Sequence, residues 1–447
     1  MLYALGVIIF VFGLLLSIAL HEVGHMVPAK KFGVRVSQYM VGFGPTIWSR
    51  KRGDTEYGLK AIPLGGYIRM IGMVPPRTSE KPSRWPRRVA SAVEDFRQVS
   101  RSEVRPGDEA REFYRLTPGK KMVVMMGGPT MNLVIYLVLT VALLGTLGRA
   151  HDDVTTTVGS ISKCVYAVTA PQAQQSNCPA PNSPAAVAGL QPGDSLVAIG
   201  STQITSWDQA VKIIEASPNR RLVLTVKRGG ADITLAITPV ENVKYANDAG
   251  TKTKTAGFIG VSPTVHHYYK TLSITQMPGE IGSQIRRGID AIGSYPNKIG
   301  SLWDTVFKNK PRDVNGAIGV VGIGRLGGDF AQSKLLDLQD KVSVLVGLLA
   351  SVNLLLFFFN LLPLLPLDGG HVAGALVEAA KRGRARLRAR AMAAAHPGEP
   401  APEARPQIFV DTAQMLPVMY AVASVLILLT LLTLYADIVK PVNPFGG

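Results

Sequence analysis

The stretch LYALGVIIFVFGLLLSIALHEVGHM, residues 2–26, is uncharged until it reaches His21, Glu22 and His25 near its end. Residues four apart on a helix stand about 40° from each other, so both imidazoles can bind one metal ion with Glu22 beside them as a base. An ionisable side chain within a membrane helix is costly and marks a functional site. The alternative is a polar patch packed against other helices. The pattern favours a metal site inside the membrane.

Four apolar segments are long enough to cross a bilayer core of about 30 Å, which requires about 20 residues. They are residues 2–26, 122–147, 342–365 and 416–438. Positive charges follow the first segment and none precedes it, which is typical of a signal anchor with its N-terminus outside. We therefore expect a multi-pass α-helical membrane protein. It would have four transmembrane helices, both termini outside and its metal site near the cytosolic face.

The formal net charge of +17 is concentrated in two of the segments between these spans. Residues 28–121 carry twenty Lys and Arg against nine Asp and Glu, and residues 376–410 carry seven against three. Residues 151–340 carry eighteen against fifteen. Basic segments that face anionic lipid on the cytosolic side account for this distribution. The charge therefore predicts contact with the lipid bilayer and does not require nucleic acid as a partner.

A catalytic zinc site needs a third protein ligand and one position left for water. The third span ends in NLLPLLPLDGGH, residues 360–371, at the same expected depth as the end of the first span. Its prolines and glycines break the helix, which membrane proteins tolerate where protein buries the break or a wet cavity adjoins it. Asp368 is the first ionisable residue of the break and the predicted partner of His21 and His25 on Zn²⁺. His371 is an alternative ligand, although a hydrogen bond beside the metal suits it better.

These two motifs together resemble the site-2 protease family of intramembrane zinc metalloproteases, in its PDZ-containing bacterial branch of the regulator-of-sigma-E type, with an actinobacterial character. The resemblance covers nearly the whole chain and implies a location in the bacterial plasma membrane. It implies that His21, His25 and Asp368 bind one zinc ion per chain and that Glu22 is the catalytic acid and base. It also implies that Asn360 helps to hold substrate near the metal. The alternative for Asn360 is a hydrogen bond between packed helices.

The run GGPTMN, residues 127–132, resembles a further element of that family in the second span. Gly127, Gly128 and Thr130 are small enough to let two helices approach closely, which would place Asn132 near the site. We expect helix packing as the first role of this element and chemistry as the second.

Two stretches rich in aromatic and β-branched residues flank a KRG turn and predict a membrane-associated β-hairpin in the first cytosolic loop. They are residues 35–50 and 54–72. The run PLGGYIRM, residues 63–70, resembles the family's loop that dips into the membrane beside the active site. An exposed edge there could add an unwound substrate as a strand, in contact with Gly65, Gly66 and Tyr67. The alternative is a hairpin that only seals the site.

Residues 154–240 indicate a small extracytoplasmic α/β domain, with a helix after Ser206 as N-cap and a hairpin at 221–239. The run AGLQPGD, residues 188–194, resembles a bacterial PDZ domain. Such domains receive a peptide carboxylate in a loop, and four residues here match that loop: Val158, Gly159, Ser160 and Ile161. The domain would either bind peptides by strand addition or shield the membrane site without a ligand.

The chain has two cysteines, Cys164 and Cys178, and both lie in the segment that the topology places outside. Two cysteines in one extracytoplasmic domain fit a single disulfide. Two buried thiols are the alternative.

Three connecting segments carry weaker patterns. Residues 74–118 are Pro-rich and charged, which predicts partial disorder. Residues 278–307 have apolar positions at helical spacing, interrupted at Pro296, which predicts two amphipathic pieces on the membrane surface or on the spans. Residues 379–405 are rich in Ala, Arg and Pro and predict a flexible linker with lipid affinity.

The predicted organisation has eight parts. They are the first span with HEVGH (1–27), the cytosolic loop with the hairpin (28–121), the second span (122–148), the PDZ-like domain (154–240), the extracytoplasmic linker (241–340), the third span with DGGH (341–375), the basic linker (376–410) and the fourth span (411–440).

Two functions from different classes fit this organisation. The first is an intramembrane zinc endopeptidase that makes the site-2 cut in single-pass membrane proteins, such as anti-sigma factors already trimmed outside or remnant signal peptides. The second is a membrane adaptor that binds protein tails through the PDZ-like domain and carries a non-catalytic metal site. Glu22 favours the protease, because an adaptor has no use for a base beside two histidine ligands.

Overall fold

The computed structural model describes residues 1–77, 85–165, 183–245, 253–308, 310, 312–313, 316–395 and 408–442. The chain forms two compact units. The helical unit comprises Met1–Leu147 and Leu272–Gly447, and the inserted unit is Gly148–Thr271.

The described helices run from the N-terminus in the order α1 (Leu2–Lys31), α2 (Arg87–Ser102), α3 (Pro118–Thr146), α4 (Pro184–Val187), α5 (Trp207–Glu215), α6 (Met277–Gly293), α7 (Tyr295–Phe307), α8 (Val320–Gln332), α9 (Leu338–Asn360), α10 (Asp368–Ala395) and α11 (Leu416–Val439). Four of them, α1, α3, α9 and α11, are long and apolar enough to cross a membrane. They coincide with the four predicted spans, so the prediction of a multi-pass helical protein is confirmed at this level.

The described strands are β1 (Val36–Arg52), β2 (Thr55–Met70), β3 (Arg149–Ile161), β4 (Ser195–Ile199), β5 (Thr202–Gln203), β6 (Leu222–Arg228), β7 (Ala231–Ile237), β8 (Val240–Tyr245), β9 (Thr253–Phe258) and β10 (Val261–Lys270). The first two belong to the helical unit and form a sheet of their own. The others belong to the inserted unit.

Glycines allow α1 to touch its neighbours backbone to backbone. A side-chain carbon added at Gly24 would lie 2.3 Å from the carbonyl oxygen of Gly127 on α3. Near the other end of α1, a carbon added at Gly6 would lie 2.5 Å from the carbonyl oxygen of Gly327 on α8. These contacts fix α3 and α8 against opposite ends of the helix that carries HEVGH.

Helix α8 is tied to α11 by a buried carboxylate. Asp437 accepts hydrogen bonds from the backbone N–H groups of Gly319 (2.9 Å) and Gly322 (2.8 Å) at the start of α8. Its other oxygen accepts a hydrogen bond from Arg312 at 3.0 Å. A carboxylate at a helix N-terminus satisfies free N–H donors and complements the helix dipole. Sequence patterns did not predict α8, because its apolar positions are interspersed with four glycines.

The predicted break in the third span separates α9 from α10, and Asp368 is the first residue of α10. The seven intervening residues fold tightly over the beginning of α10. A carbon added at Gly369 would lie 2.3 Å from the carbonyl oxygen of Leu362, and one at Gly370 would lie 2.7 Å from the nitrogen of Leu365. The two glycines therefore permit the turn that places Asp368.

The predicted hairpin is present, and its strands pair in a complex register. Residues 38–41 of β1 have partners both in residues 56–59 and in residues 66–69 of β2. Residues 66–69 therefore form an outer edge of the sheet within the described residues. Gly66 on that edge lies against α1, where an added carbon would be 3.0 Å from Ile18 and 3.1 Å from Glu22.

The prediction of partial disorder in residues 74–118 is wrong for the part that the structure describes. Residues 87–102 form α2, and Phe113 is buried in a cluster with Val36 and Val124. Arg35 also pairs with Asp108. Burial of these distant partners outweighs the polar, Pro-rich local sequence.

The prediction of a flexible linker at residues 379–405 is wrong in its first part, because α10 continues to Ala395. Residues 396–407 lie outside the described residues. The prediction of two amphipathic pieces in residues 278–307 is confirmed as α6 and α7, which meet at Ser294 just before Pro296. Their burial is partial: Leu302 is 2% exposed, whereas Trp303 is 52% exposed.

The inserted unit is built on a sheet with the strand order β10-β3-β4-β6-β7, with β5 beside β4 and a separate β8-β9 pair. The predicted helix after Ser206 and the hairpin across Arg228 are both present. In the AGLQPGD run, Asp194 accepts hydrogen bonds from the Gln191 N–H and the Arg228 guanidinium, and Arg228 lowers the pKa of that carboxyl. The unit is wider than 154–240 because β10 pairs with β3 from Lys270 to Val261. Its PDZ character stays a prediction.

Candidate metal centre

Three predicted side chains from two helices converge at one point. The Nε2 atoms of His21 and His25 on α1 lie 3.2 Å apart. The Oδ2 atom of Asp368, at the start of α10, lies 3.5 Å from the Nε2 of His21 and 3.3 Å from that of His25. Within the described residues, these three are the one group of His, Cys, Asp and Glu side chains close enough to hold a metal ion together.

The spacing of these three atoms fits a tetrahedral zinc site. Zinc binds nitrogen and carboxylate oxygen at about 2.0–2.2 Å, so neighbouring ligand atoms of a tetrahedron lie about 3.3–3.6 Å apart. The three observed separations, 3.2, 3.3 and 3.5 Å, agree with that edge length. Two imidazoles and one carboxylate also leave a fourth position open. His21, His25 and Asp368 therefore fit a zinc ion.

A hydrogen bond sets the tautomer of His25. Its Nδ1 lies 2.8 Å from the backbone carbonyl oxygen of Val124 on α3, which can only accept. The proton therefore sits on Nδ1, and the lone pair of Nε2 points toward His21 and Asp368. The Nδ1 of His21 is buried and has no hydrogen-bond partner within the described residues.

Gly128 keeps the space between the ligating atoms open. A side-chain carbon added there would lie 2.2 Å from the Nε2 of His25 and 2.6 Å from the Nε2 of His21. Its neighbour Gly127 sets the helix spacing, since a carbon added there would lie 2.0 Å from the carbonyl oxygen of Gly24. The GGP run therefore serves both helix packing and the metal centre, whereas we expected mainly packing.

Glu22 lies beside the three ligands and is buried, with 8% of its surface exposed. It faces the outer edge of β2, where Gly66 contacts its side chain and the backbone N–H of Ile68 points at its carboxylate. The chemistry of a base next to two imidazoles and an open ligand position is hydrolytic.

The other residues predicted to contact substrate lie on β2, α3 and α9. Gly65 has φ +100° and packs on the ring of Phe43, which also stacks on Tyr67. Asn132 lies one turn after Gly128, 1% exposed, and its Oδ1 has no hydrogen-bond partner among the described residues. Asn360 is the last residue of α9. Their roles toward substrate stay predictions.

His371 lies one turn after Asp368 on α10 and lines a small cavity. It does not belong to the group of three ligand atoms. Its position therefore agrees with a role next to the ligands, which was the preferred expectation.

Two polar residues near the centre were not predicted. Asn353 on α9 is fully buried, and its amide donates hydrogen bonds to the Ser17 hydroxyl (3.0 Å) and to the carbonyl of Leu349 (2.9 Å). Ser17 precedes His21 by one helical turn. An asparagine in an apolar span is itself a signal of a helix contact, and that signal was available in the sequence.

The residues predicted as a carboxylate-binding loop lie in a paired strand. Ile161, Ser160 and Val158 belong to β3 and pair with Val261, Ser262 and Pro263 of β10. Next to them, a carbon added at Gly159 would lie 2.6 Å from the carbonyl oxygen of Pro263. The prediction of a loop is therefore wrong, because β10 covers this edge of the backbone.

The predicted disulfide cannot be placed within the described residues. Cys164 precedes the gap at 166–182, and Cys178 lies outside the described residues. The pairing stays a prediction.

Comparison with known proteins identifies the family. Residues 9–397 match peptidase family M50. The chain is 32% identical over 456 residues to the zinc metalloprotease Rip1 of Mycobacterium tuberculosis, and the alignment covers 100% of both chains. It is 33% identical over 467 residues to Rip1 of Mycolicibacterium smegmatis, again over 100% of both. It is 24% identical over 425 residues to the probable protease eep of Enterococcus faecalis, over 83% of this chain and 89% of that protein.

The matched region contains HEVGH, the inserted unit and Asp368, and the full-length similarity to Rip1 extends it over the fourth span. The resemblance inferred from the two motifs is thus confirmed. The chain belongs to peptidase family M50, the site-2 protease family, and is a zinc metalloprotease.

Proposed function

We propose that this protein hydrolyses peptide bonds within transmembrane segments of single-pass membrane proteins, at one zinc ion held by His21, His25 and Asp368. The observation that carries the proposal is the trio of ligand atoms at tetrahedral spacing, on helices apolar enough to cross a membrane, with Glu22 beside it. The alternative, an adaptor with a non-catalytic metal, leaves Glu22 and the open fourth position without a role.

Glu22 is the proton carrier of the proposed reaction. When bound, zinc acts as a Lewis acid that polarises the scissile carbonyl and lowers the pKa of water toward about 7. Glu22 takes the proton from the attacking water and then delivers it to the nitrogen of the departing fragment. Burial of Glu22 among α1 and β2 keeps bulk water away from this transfer.

The outer edge of β2 is the proposed substrate cradle. A helix must unwind before its peptide bonds can be cut, and the freed backbone then needs hydrogen-bond partners. Residues 66–69 form a strand edge beside Glu22, so an extended substrate segment can add to it as a further strand. The scissile bond would then lie next to the metal centre. This arrangement favours a hairpin that captures substrate by strand addition over a hairpin that only seals the site.

A chelation experiment tests the proposed function. Purified protein in bilayer nanodiscs should cut a single-span substrate inside its span, as fragment masses would show. Addition of o-phenanthroline should abolish cleavage, and zinc in excess should restore it. The non-chelating meta isomer is the matched control and should leave cleavage intact. Cleavage that persists after zinc is removed would refute the proposal.

We further propose that the substrates include anti-sigma factors already trimmed outside and remnant signal peptides. Such substrates share a single span and little structure outside it. The support is family membership and the charge distribution, since the two strongly basic segments, residues 28–121 and 376–410, favour a cytosolic location and leave the inserted unit outside.

Cysteine chemistry tests this topology. Cys164 and Cys178 should lie outside and be joined, so an impermeant thiol reagent should label intact cells only after reduction. Labelling that requires cell lysis would reverse the proposed orientation.

We propose that the inserted unit, as a PDZ-like domain, excludes substrates that still carry folded outer domains. A unit of more than 100 residues is tens of ångströms across and can obstruct access by a bulky partner. The alternative is that this unit binds a peptide. The pairing of β10 with β3 around Gly159 argues against peptide binding at residues 158–161.

A loop deletion tests the exclusion proposal. Val154 and Val265 are cross-strand partners, so residues 155–264 can be replaced by a two-glycine turn without moving either end of the ribbon. The shortened protein should cut full-length substrate that the complete chain leaves intact. If it cuts only pre-trimmed substrate, exclusion is wrong and capture becomes the better account.

A further inference from the structure

A small cavity lies against α10, the helix that begins with Asp368. His371 lines it at one side, and the ion pair of Lys121 with Glu378 (2.7 Å) lines it at another. Its volume is about 30 Å³, room for one or two water molecules. His371 follows Asp368 by one helical turn, so the lining of the cavity begins one turn away from a metal ligand.

A short extended segment closes one wall of the cavity. Residues 408–412, which we call the strap, lie between the gap at 396–407 and the fourth span, and Val410 and Thr412 face the cavity. The Glu378 carboxylate accepts a hydrogen bond from the Val410 N–H at 3.5 Å, and the Arg382 guanidinium donates to the Ile408 carbonyl at 3.0 Å. The strap is thus attached to α10 by its backbone.

The aromatic ring of Phe409 is the central anchor of the strap. Cations approach the ring from two residues, with the Nζ of Lys121 at 5.4 Å and the guanidinium carbon of Arg382 at 5.5 Å from its centre. The ring of Tyr114 meets it edge to face at 5.1 Å. Phe409 therefore shares Lys121 with the cavity wall.

Asp411 ties the other end of the strap to α2. Its two oxygens lie 2.9 and 3.2 Å from one guanidinium nitrogen of Arg97, which is 2% exposed. Arg97 also donates to the carbonyl of Pro75, whose residue lines the cavity. Ala413 and Leu416 then pack with Val93 of α2.

We propose that the strap is a lid that controls water entry to the metal centre through this cavity. Its backbone forms no helix or strand over residues 408–411, so a few side-chain contacts hold it in place. Each cation–aromatic contact of this kind changes the equilibrium between the closed and the open strap by roughly three- to thirtyfold. A small number of such contacts therefore allows a minor population with the strap open. Hydrolysis consumes one water per bond, so the lid would limit turnover without touching substrate. The effect of the lid on turnover rests on the proposed function, whereas the contacts that hold the strap do not depend on it.

Thiol accessibility tests the lid directly. Ala375 lines the cavity and is 3% exposed. In an Ala375→Cys protein, a small water-soluble methanethiosulfonate should label residue 375 slowly, and peptide mass spectrometry separates this site from Cys164 and Cys178. Phe409→Leu, which removes the cation contacts, should raise the labelling rate at least about threefold. Asp411→Asn should raise it as well.

Two controls keep the outcomes distinct. Met415→Ala changes an exposed side chain just beyond the strap and should leave the rate unchanged. Because Asp411→Asn leaves buried Arg97 without its carboxylate, thermal unfolding is measured for each variant, and Phe409→Leu decides the result if Asp411→Asn unfolds. Rates within twofold of the parent in Phe409→Leu, or fast labelling in the parent itself, would overturn the lid. The labelling rates can also be measured in a Glu22→Gln background, where proteolysis plays no part. A failure of the lid proposal is therefore distinguishable from a failure of the proposed chemistry.

Discussion

Glu22→Gln is expected to reduce cleavage at least about 100- to 10,000-fold while the protein keeps its zinc. The substitution preserves the size of the side chain and an oxygen that can face the Ile68 N–H. An amide cannot take a proton from water near neutral pH, so the transfer to the departing nitrogen is lost. The ligand atoms of His21, His25 and Asp368 are unchanged, and metal binding should persist.

Mass spectrometry of membrane-protein fragments measures this effect in cells that express the wild type or Glu22→Gln. Glu56→Gln is the matched control, because it makes the same chemical change on β2 away from the metal centre. It should cleave at the wild-type rate. Substrate should accumulate bound to Glu22→Gln, since the β2 edge is intact. Wild-type cleavage rates in Glu22→Gln would remove Glu22 from the mechanism.

The sequence predicted the parts of the molecule that depend on local pattern. Apolar length predicted four helices, the four-residue spacing of His21 and His25 predicted a shared face, and the Pro-Gly break predicted the turn before Asp368. These signals are local because helix geometry and backbone restrictions act over a few residues. The meeting of α1 with α10 followed from equal depth in a membrane and from family resemblance.

The parts that sequence patterns missed depend on contacts between distant residues. Arg97 and Asp411 are 314 positions apart, and their pairing gives order to segments that look like polar loops. Helix α8 depends on Gly6 of α1, because the close approach at Gly327 would fail with a larger residue. The supposed carboxylate loop was misassigned for the same reason, since β10 follows β3 by about 100 residues in the chain. In each of these pairs, the sequence around one partner does not indicate the contact with the other.

Gly128→Ala is expected to cost the protein its zinc although residue 128 has no ligand atom. The added carbon would lie 2.2 Å from the Nε2 of His25 and 2.6 Å from the Nε2 of His21. Carbon and nitrogen in non-bonded contact need well over 3 Å, so the imidazoles or α3 must move by roughly 1 Å. A shift of that size breaks the tetrahedral spacing that the metal requires.

Zinc content per chain after dialysis against a buffered metal solution measures this prediction. Wild type should retain about one zinc, and His21→Ala, which loses a ligand, should bind it at least about 100-fold more weakly. Gly119→Ala is the matched control: it lies on the same helix, and an added carbon there meets nothing within 4 Å. It should retain zinc and full helical content. Gly128→Ala should resemble His21→Ala and not Gly119→Ala, because the space at residue 128 belongs to the ligands of α1. Full zinc retention in Gly128→Ala would mean that α3 can withdraw from α1, and the contact of Gly24 with Gly127 would then not fix the metal centre.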